Sequence, residues 1–136
     1  MTLNQDVDWN EIDSLVKILS KTISKLPRTF SSITTLSRGG LVPSRLLADH
    51  LGIGKILVDK NKISSDSLFI DDIFDTGDTF NKTVSKVDDP SKLVFVTLFA
   101  RRGKKYPKQL IYAKKTDNSA YVVFPWDRLE FKRSQN

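Results

Sequence analysis

The chain has 136 residues, of which 39% are hydrophobic and 28% are charged, a balance typical of a globular protein that predicts one domain over residues 1–136. The sequence contains no cysteine, which excludes disulfides, thiolate metal sites and cysteine nucleophiles. No apolar run reaches the roughly 20 residues of a membrane helix and the N-terminus is unlike a signal peptide, so we expect a cytoplasmic protein without a membrane partner. The net charge of +6 suits a small polyanionic substrate. The basic residues are scattered apart from Arg101–Lys105 and Lys132–Arg133, so nucleic acid is not the expected partner.

Helices and strands are predicted to alternate along the chain. Asp8 and Glu11 have capping-box spacing, and apolar residues at helical spacing from Ile12 to Leu26 predict the first helix. Further helices are predicted over 43–51, ending at Gly52, and over 76–86. Strands are predicted over 33–36, 56–58, 68–71, 93–100, 110–113 and 121–124, and the tail from Arg133 is expected to fray. This order predicts an α/β fold with a mainly parallel twisted sheet flanked by helices, and small strands near the C-terminus.

Three polar segments follow predicted strands: Ser37 to Gly40, Asp71 to Thr79, and the segment from Arg101 onward. In open α/β sheets ligands bind beyond the carboxyl ends of the strands. We therefore expect the three segments to face one crevice.

The segment from Asp71 to Thr79 carries the strongest chemical signal. Two adjacent carboxylates, Asp71 and Asp72, end an apolar run, and they can hold ribose hydroxyls or a hard cation such as Mg²⁺. The turn Asp75-Thr76-Gly77-Asp78-Thr79 follows, and its backbone N–H groups can cradle a phosphate. Together these residues predict a sugar-phosphate site.

This segment closely resembles the phosphoribosyl-pyrophosphate signature of the type I phosphoribosyltransferases. A second segment, Arg38-Gly39-Gly40-Leu41-Val42-Pro43, resembles the pyrophosphate loop of the bacterial xanthine–guanine members. The resemblance spans residues 34–127 and implies a purine salvage enzyme that transfers phosphoribosyl to a 6-oxopurine with Mg²⁺ as cofactor. It implies phosphoribosyl-pyrophosphate binding by a set of residues that includes the general base Asp75: Arg38, Gly39, Asp71, Asp72, Asp75, Thr76, Gly77, Asp78 and Thr79. It also implies a cis peptide at Arg38–Gly39, and metal ligation by Asp72 and Asp71.

The resemblance extends to the purine site and to the assembly. Arg101 stands where the family has a lysine that reads the 6-oxo group, and its guanidinium can also donate to an oxygen. Tyr121 stands where an aromatic stacks on the base, and Val122 where a backbone carbonyl contacts the base edge. Relatives form dimers and tetramers, so a homo-oligomer is expected, with the apolar segment from Phe124 to Leu129 as a candidate interface.

Two departures from the family pattern bear on catalysis. Asp78 places a carboxylate beside the phosphate turn, where it must point away from the ligand. The family's long mobile loop over the active site is reduced here to Asp59–Asp66, which is too short for a lid, so water exclusion should suffer. Lys60 and Lys62 are the residues of this segment that could reach the pyrophosphate.

The residues leave alternatives to purine transfer open. The chain could be a catalytically weak phosphoribosyl-pyrophosphate or nucleotide-binding regulator, whose basic stretch from Arg101 to Lys105 contacts nucleic acid. A transferase acting on a pyrimidine or another amine is a further alternative. The sequence does not distinguish among guanine, xanthine and hypoxanthine.

Overall fold

A parallel five-stranded sheet forms the centre of the fold. The computed structural model describes residues 3–117 and 119–135. Its elements are β1 (Asn4–Asp6), α1 (Trp9–Ser24), β2 (Ser32–Thr35), α2 (Leu41–Leu51), β3 (Ile56–Val58), β4 (Ser67–Phe74), α3 (Asp78–Val84), β5 (Phe95–Arg101), β6 (Leu110–Thr116), β7 (Tyr121–Val123) and α4 (Arg128–Gln135). Short 3-10 turns at Pro90–Lys92 and Pro125–Asp127 precede β5 and α4.

The central sheet has the strand order β3-β2-β4-β5-β6, and every neighbouring pair is parallel. β5 is buried along its whole length, as its unbroken apolar run predicts for a strand covered on both faces. Helices α1 and α2 cover one face, where Leu19 and Leu47 join the larger apolar core. Helix α3 covers the other face, where Phe80 packs against a smaller core around Phe95. The predicted α/β fold with a parallel sheet flanked by helices is therefore confirmed.

Local sequence signals set several element boundaries. The Asp8 carboxylate accepts a 2.8 Å hydrogen bond from the Glu11 N–H, which caps α1. Helix α2 ends at Gly52, which adopts a left-handed conformation (φ 70°). The strand boundary that differs most from prediction is the end of β4. This strand extends through Phe74 and so includes both residues of the acidic pair, Asp71 and Asp72. Helix α3 is correspondingly shorter than the predicted 76–86.

The chain termini form a second layer, of which the sequence predicted β7 but not its partner β1. β7 pairs with β1 in a two-stranded parallel sheet, with Asn4 opposite Tyr121. β1 has the polar sequence Asn-Gln-Asp, which carries no strand pattern. The tail from Arg133, which was expected to fray, is helical in α4 through Gln135. Within the described residues no helix is both long and apolar enough to cross a membrane.

Residues 59–66, between β3 and β4, are tied to the body of the protein. Ile63 is buried and forms a parallel bridge to Val87, with hydrogen bonds to the main chain on either side of that residue. The Arg28 guanidinium donates to the Ser65 carbonyl at 2.6 Å. The segment is therefore linked to the body of the protein by these hydrogen bonds, and both Lys60 and Lys62 are exposed.

Candidate active site

The three predicted segments meet at the carboxyl edge of the sheet, because the strands that precede them, β2, β4 and β5, are neighbours. Gly39, after β2, lies so close to the end of β4 that a Cβ on it would come 2.7 Å from Asp72 Oδ2. Arg101, at the end of β5, places its Nε 3.5 Å from Asp75 Oδ1. The predicted convergence is thus present in the structure.

The acidic pair is held by its own backbone. The Asp72 N–H donates to Asp71 Oδ1 at 2.9 Å, and the Ile73 N–H donates to Asp72 Oδ1 at 2.8 Å. Burial raises the pKa of the Asp71 carboxyl to about 8, and repulsion from Asp72 adds to the effect. Burial also raises the pKa of Asp72. Two crowded carboxylates with poor hydration favour a bound cation or sugar hydroxyls that offset their charge.

The turn after β4 encloses a cavity of about 170 Å³, lined by residues 71–80 and Phe95. Gly77 has φ 91°, a left-handed conformation that a side chain would strain. The Asp78 N–H donates to Thr76 Oγ1 at 3.2 Å. Asp75, Thr76 and Asp78 are exposed and Thr79 is half-buried. The segment predicted to bind a phosphate therefore forms a concave turn beside this cavity.

The loop from Ser37 to Gly40 has no room for side chains at its second glycine. A Cβ on Gly40 would lie 1.9 Å from Thr35 Oγ1 and 2.9 Å from the Ile70 carbonyl. The cis peptide bond is Ser37–Arg38, one residue before the expected Arg38–Gly39. The Arg38 side chain is exposed, and its Nη2 lies 3.7 Å from Glu130 Oε2 of α4.

Arg101 is buried, and much of its guanidinium is already occupied. Its Nη1 donates to the Asp117 carbonyl at 2.8 Å and also to the Ala120 carbonyl, while its Nε faces Asp75. The residue therefore joins the turn before β7 to the loop after β4. The buried Nε makes no hydrogen bond within the described structure.

Tyr121 and Val122 lie on β7, above the edge of the main sheet. Tyr121 is 53% exposed and borders a cavity of about 340 Å³, together with Arg38, Gly39 and the first two turns of α4. Its ring stacks on Phe131 of α4, with 5.7 Å between centroids and 23° between planes. The Val122 side chain is buried, and its backbone pairs with Gln5 of β1. The Tyr121 ring, which was predicted to stack on the purine, therefore stacks on Phe131 in this structure.

Three acidic or aromatic residues at this site had no predicted role. Asp127 lines the Tyr121 cavity, and its pKa is raised by partial burial, by Asp72 and by Glu130. Glu130 and Phe131 reach the cavity from α4. The one sequence signal for Asp127 is its place at the end of the stretch 34–127 over which the family resemblance extends; nothing in the sequence places Glu130 and Phe131 there. Among the described residues no group of three or more potential His, Cys, Asp or Glu metal ligands exists.

Comparison with solved structures identifies the class of fold as that of the phosphoribosyltransferases. Xanthine-guanine-hypoxanthine phosphoribosyltransferase of Helicobacter pylori superposes with a TM-score of 0.78, covering 96% of this chain and 99% of that one at 16% identity. A hypothetical protein from Neisseria gonorrhoeae with bound ppGpp gives a TM-score of 0.73, 16% identity and coverage of 99% and 95%.

Sequence comparison finds relatives among the purine phosphoribosyltransferases. The chain is 27% identical to xanthine-guanine phosphoribosyltransferase of Chromohalobacter salexigens over 141 residues, covering 89% of this chain and 82% of the relative. No family model matches the sequence. The resemblance to the purine members of the type I phosphoribosyltransferases is therefore confirmed.

Proposed function

We propose that this protein transfers the phosphoribosyl group of phosphoribosyl pyrophosphate to a 6-oxopurine, releasing pyrophosphate. The observation that carries the proposal is the close approach of Gly39 to Asp72, where an added Cβ would lie 2.7 Å from Asp72 Oδ2, so the loop 37–40 lies next to the acidic pair. The loop 37–40, the acidic pair and the turn 75–79 follow one another across the site. A ribose that carries a pyrophosphate on one side and a 5′-phosphate on the other matches this order. The similarity to xanthine–guanine phosphoribosyltransferases supports the same assignment.

In this proposal the substrate is bound in three parts. The backbone of residues 75–79 holds the 5′-phosphate, including Thr76, Gly77, Asp78 and Thr79. Asp71 and Asp72 face the ribose hydroxyls, and Arg38 with the backbone of Gly39 faces the pyrophosphate. Phosphate binding far from the reacting carbon supplies binding energy that orients the reacting centre.

The purine would lie between Tyr121 and the end of β5. A purine nitrogen attacks the ribose C1′ while the bond from C1′ to the pyrophosphate oxygen breaks, and the bonding electrons leave with pyrophosphate. Asp75 takes the proton released by the purine nitrogen, acting as the general base. Positive charge developing on the ribose is stabilised by the acid pair, and negative charge developing on pyrophosphate by Arg38.

The acid pair fits Mg²⁺, which binds proteins through one or two carboxylates and takes its other ligands from water and substrate phosphates. Asp72 and Asp71 would hold the ion, whose positive charge would offset the burial and mutual repulsion that raise the pKa of Asp71. When bound, the ion would neutralise charge on the pyrophosphate leaving group.

A second candidate is a nucleotide-binding regulator with little turnover. The connection 59–66 is tied down rather than mobile, and Phe131 occupies a face of Tyr121. A protein with a similar fold has ppGpp bound. Any contact of the basic stretch with nucleic acid would involve Arg102, Lys104 and Lys105, which are exposed, because Arg101 is buried.

Product analysis separates the two candidates. The protein would be mixed with Mg²⁺, phosphoribosyl pyrophosphate and guanine, xanthine, hypoxanthine, adenine or uracil in turn. Nucleotide formed with the 6-oxopurines supports the transferase, whereas formation only with uracil indicates a pyrimidine transferase. Tight binding of phosphoribosyl pyrophosphate or ppGpp without any product contradicts the enzyme and favours the regulator.

We also propose that the chain acts as a single domain, forms a dimer or tetramer and works in the cytoplasm. The main core includes Val7 and Phe124 from the terminal layer as well as the central strands, which supports one domain. Within the candidate interface 124–129, Leu129 is 69% exposed and could contact a second subunit, whereas Phe124 is buried in the core and could not. Sedimentation velocity of the wild type and Leu129→Ser tests this assembly.

A further inference from the structure

Asp59 is a residue outside the predicted site that holds the pyrophosphate loop in place. It follows β3 directly, and β3 pairs with β2 so that Val58 lies opposite Thr35. The Asp59 N–H donates to the Thr35 carbonyl at 3.0 Å. The residues that follow the two strands are consequently neighbours, which brings Asp59 beside Ser37.

The Asp59 carboxylate accepts two hydrogen bonds from Ser37. The Ser37 N–H donates to Oδ1 at 2.9 Å, and the Ser37 hydroxyl donates to Oδ2 at 2.5 Å. These two bonds lower the pKa of Asp59, so the carboxylate is ionised and can only accept. Its backbone has φ 54°, the left-handed conformation that aspartate tolerates better than most residues.

The rest of the loop is held by close packing of its two glycines and by backbone hydrogen bonds. Gly39 and Gly40 have no side chains, and Arg38 is exposed with only Glu130 near its guanidinium. Backbone bonds from Gly40 to Leu36 and from Leu41 to Arg38 close the turn. In the described part of the chain, Asp59 is the residue whose side chain bonds to the main chain of residues 37–40.

We propose that Asp59 is a positioning residue that pre-orders the loop 37–40 for pyrophosphate through its two hydrogen bonds to Ser37. The inference rests on the proposed function, since it concerns the same loop and the same ligand. Fixing the loop before binding lowers the conformational cost of placing the Arg38 charge and the Gly39 N–H against the leaving group. The connection 59–66 thus contributes to the pyrophosphate site by ordering the loop 37–40 through Asp59, and not by closing over the site.

Direct titration of phosphoribosyl pyrophosphate with Mg²⁺ tests the proposal in the full chain. Asp59→Gly removes the carboxylate without straining the left-handed backbone, and we expect about tenfold weaker binding. Asp59→Asn keeps an acceptor and should lose about threefold. Ser37→Ala removes the other partner, and the double variant should bind no more weakly than Asp59→Gly alone. The KM for the purine should stay within about twofold, because the base site is untouched.

Asp66→Gly is the matched control, the same substitution in the same segment at an exposed residue whose carboxylate makes no hydrogen bond in the described structure. Removing a negative charge near an anion site would by itself tighten binding. Unchanged or tighter binding in Asp59→Gly therefore overturns the proposal, as does equal weakening in the control.

Hydrogen exchange of the ligand-free proteins keeps this test separate from the proposed function. Asp59→Gly should accelerate exchange in residues 37–41, and Asp66→Gly should not. If the wild type does not bind phosphoribosyl pyrophosphate, the proposed function fails, while accelerated exchange would still support the positioning role. Equal exchange in both variants contradicts that role whatever the ligand.

Discussion

Replacing Asp71 by asparagine should stabilise the metal-free protein in a pH-dependent way. Asparagine has nearly the size of a protonated aspartate, and its carbonyl oxygen can still accept from the Asp72 N–H, as Asp71 Oδ1 does at 2.9 Å. The substitution removes the charge that burial and Asp72 disfavour. The stability gained would come at the expense of the proposed function, since the pair would lose an anionic ligand.

The sign follows from the raised pKa. Asp71 titrates near pH 4 in the unfolded chain and at about 8 in the folded protein, so the folded state binds the extra proton between these values. The contribution of Asp71 to stability is fully present below about pH 4 and is lost as the pH rises through about 8. Wild type should therefore weaken relative to Asp71→Asn across this window.

The size of the effect can be bounded from the same shift. At about 1.4 kcal/mol for each pKa unit, a shift of roughly four units gives an upper limit of about 5 to 6 kcal/mol. The carboxyl is partly open to solvent and shares its titration with Asp72, so we expect about 2 kcal/mol in favour of Asp71→Asn at pH 8.5. At pH 4 the difference should fall below about 0.5 kcal/mol.

Urea unfolding in EDTA at pH 4, 6 and 8.5 measures these differences. Asp66→Asn serves as an exposed control and should change stability by less than about 0.5 kcal/mol at each pH. Adding Mg²⁺ at pH 8.5 should stabilise wild type more than Asp71→Asn, since a ligand that binds only the folded state raises stability. A gain that is equal at pH 4 and 8.5 would refute the assignment of the effect to the buried charge.

Three further substitutions test individual parts of the site. Asp75→Asn should lower turnover about 100-fold while changing phosphoribosyl-pyrophosphate affinity less than about threefold, as steady-state kinetics and direct titration would show. Phe131→Ala should lower the KM for the purine about threefold to tenfold, because it frees the face of Tyr121 that Phe131 now covers. Gly39→Ala should weaken phosphoribosyl-pyrophosphate binding about tenfold in titrations, because the added Cβ would crowd Asp72 at 2.7 Å.

Each of these has a control and a contrary outcome. Unchanged turnover in Asp75→Asn would remove that residue from the role of base. Leu129→Ala, on the same helix but exposed, should leave the purine KM unchanged, and a KM that rises in Phe131→Ala would make Phe131 part of the base site. Gly54→Ala adds a methyl group into open space, so equal losses in the two glycine variants would contradict a local effect at the loop.

The parallel sheet and its three ligand-facing segments could be predicted because their signals are local. The run of apolar residues in β5 predicts a buried strand, and Gly77 marks a turn that needs a left-handed conformation. General rules for α/β sheets place the segments that follow β2, β4 and β5 at the ligand-binding edge, whereas the order of these strands comes from the structure. Family resemblance assigned chemical roles to residues such as Asp72, which composition alone would leave as a surface acid.

Contacts between distant parts of the chain could not be predicted. Arg101 looks from sequence like a free cation after a strand, but the carbonyls that occupy its Nη1 come from the turn before β7. Phe131 sits in a polar segment with no apolar pattern, so nothing local signals its stacking on Tyr121. Asp59 depends on strand pairing for its place beside Ser37, which one sequence does not give.

The most direct test of the central claim is the rate of nucleotide formation by wild type and by the double variant Asp71→Asn, Asp72→Asn. With Mg²⁺, phosphoribosyl pyrophosphate and a 6-oxopurine, wild type should release nucleotide and pyrophosphate in equal amounts. The double variant should remain folded and lose activity by about 100-fold or more. Equal rates in the two proteins, or no nucleotide from wild type with any 6-oxopurine, would contradict a phosphoribosyl-transfer site built on this acidic pair.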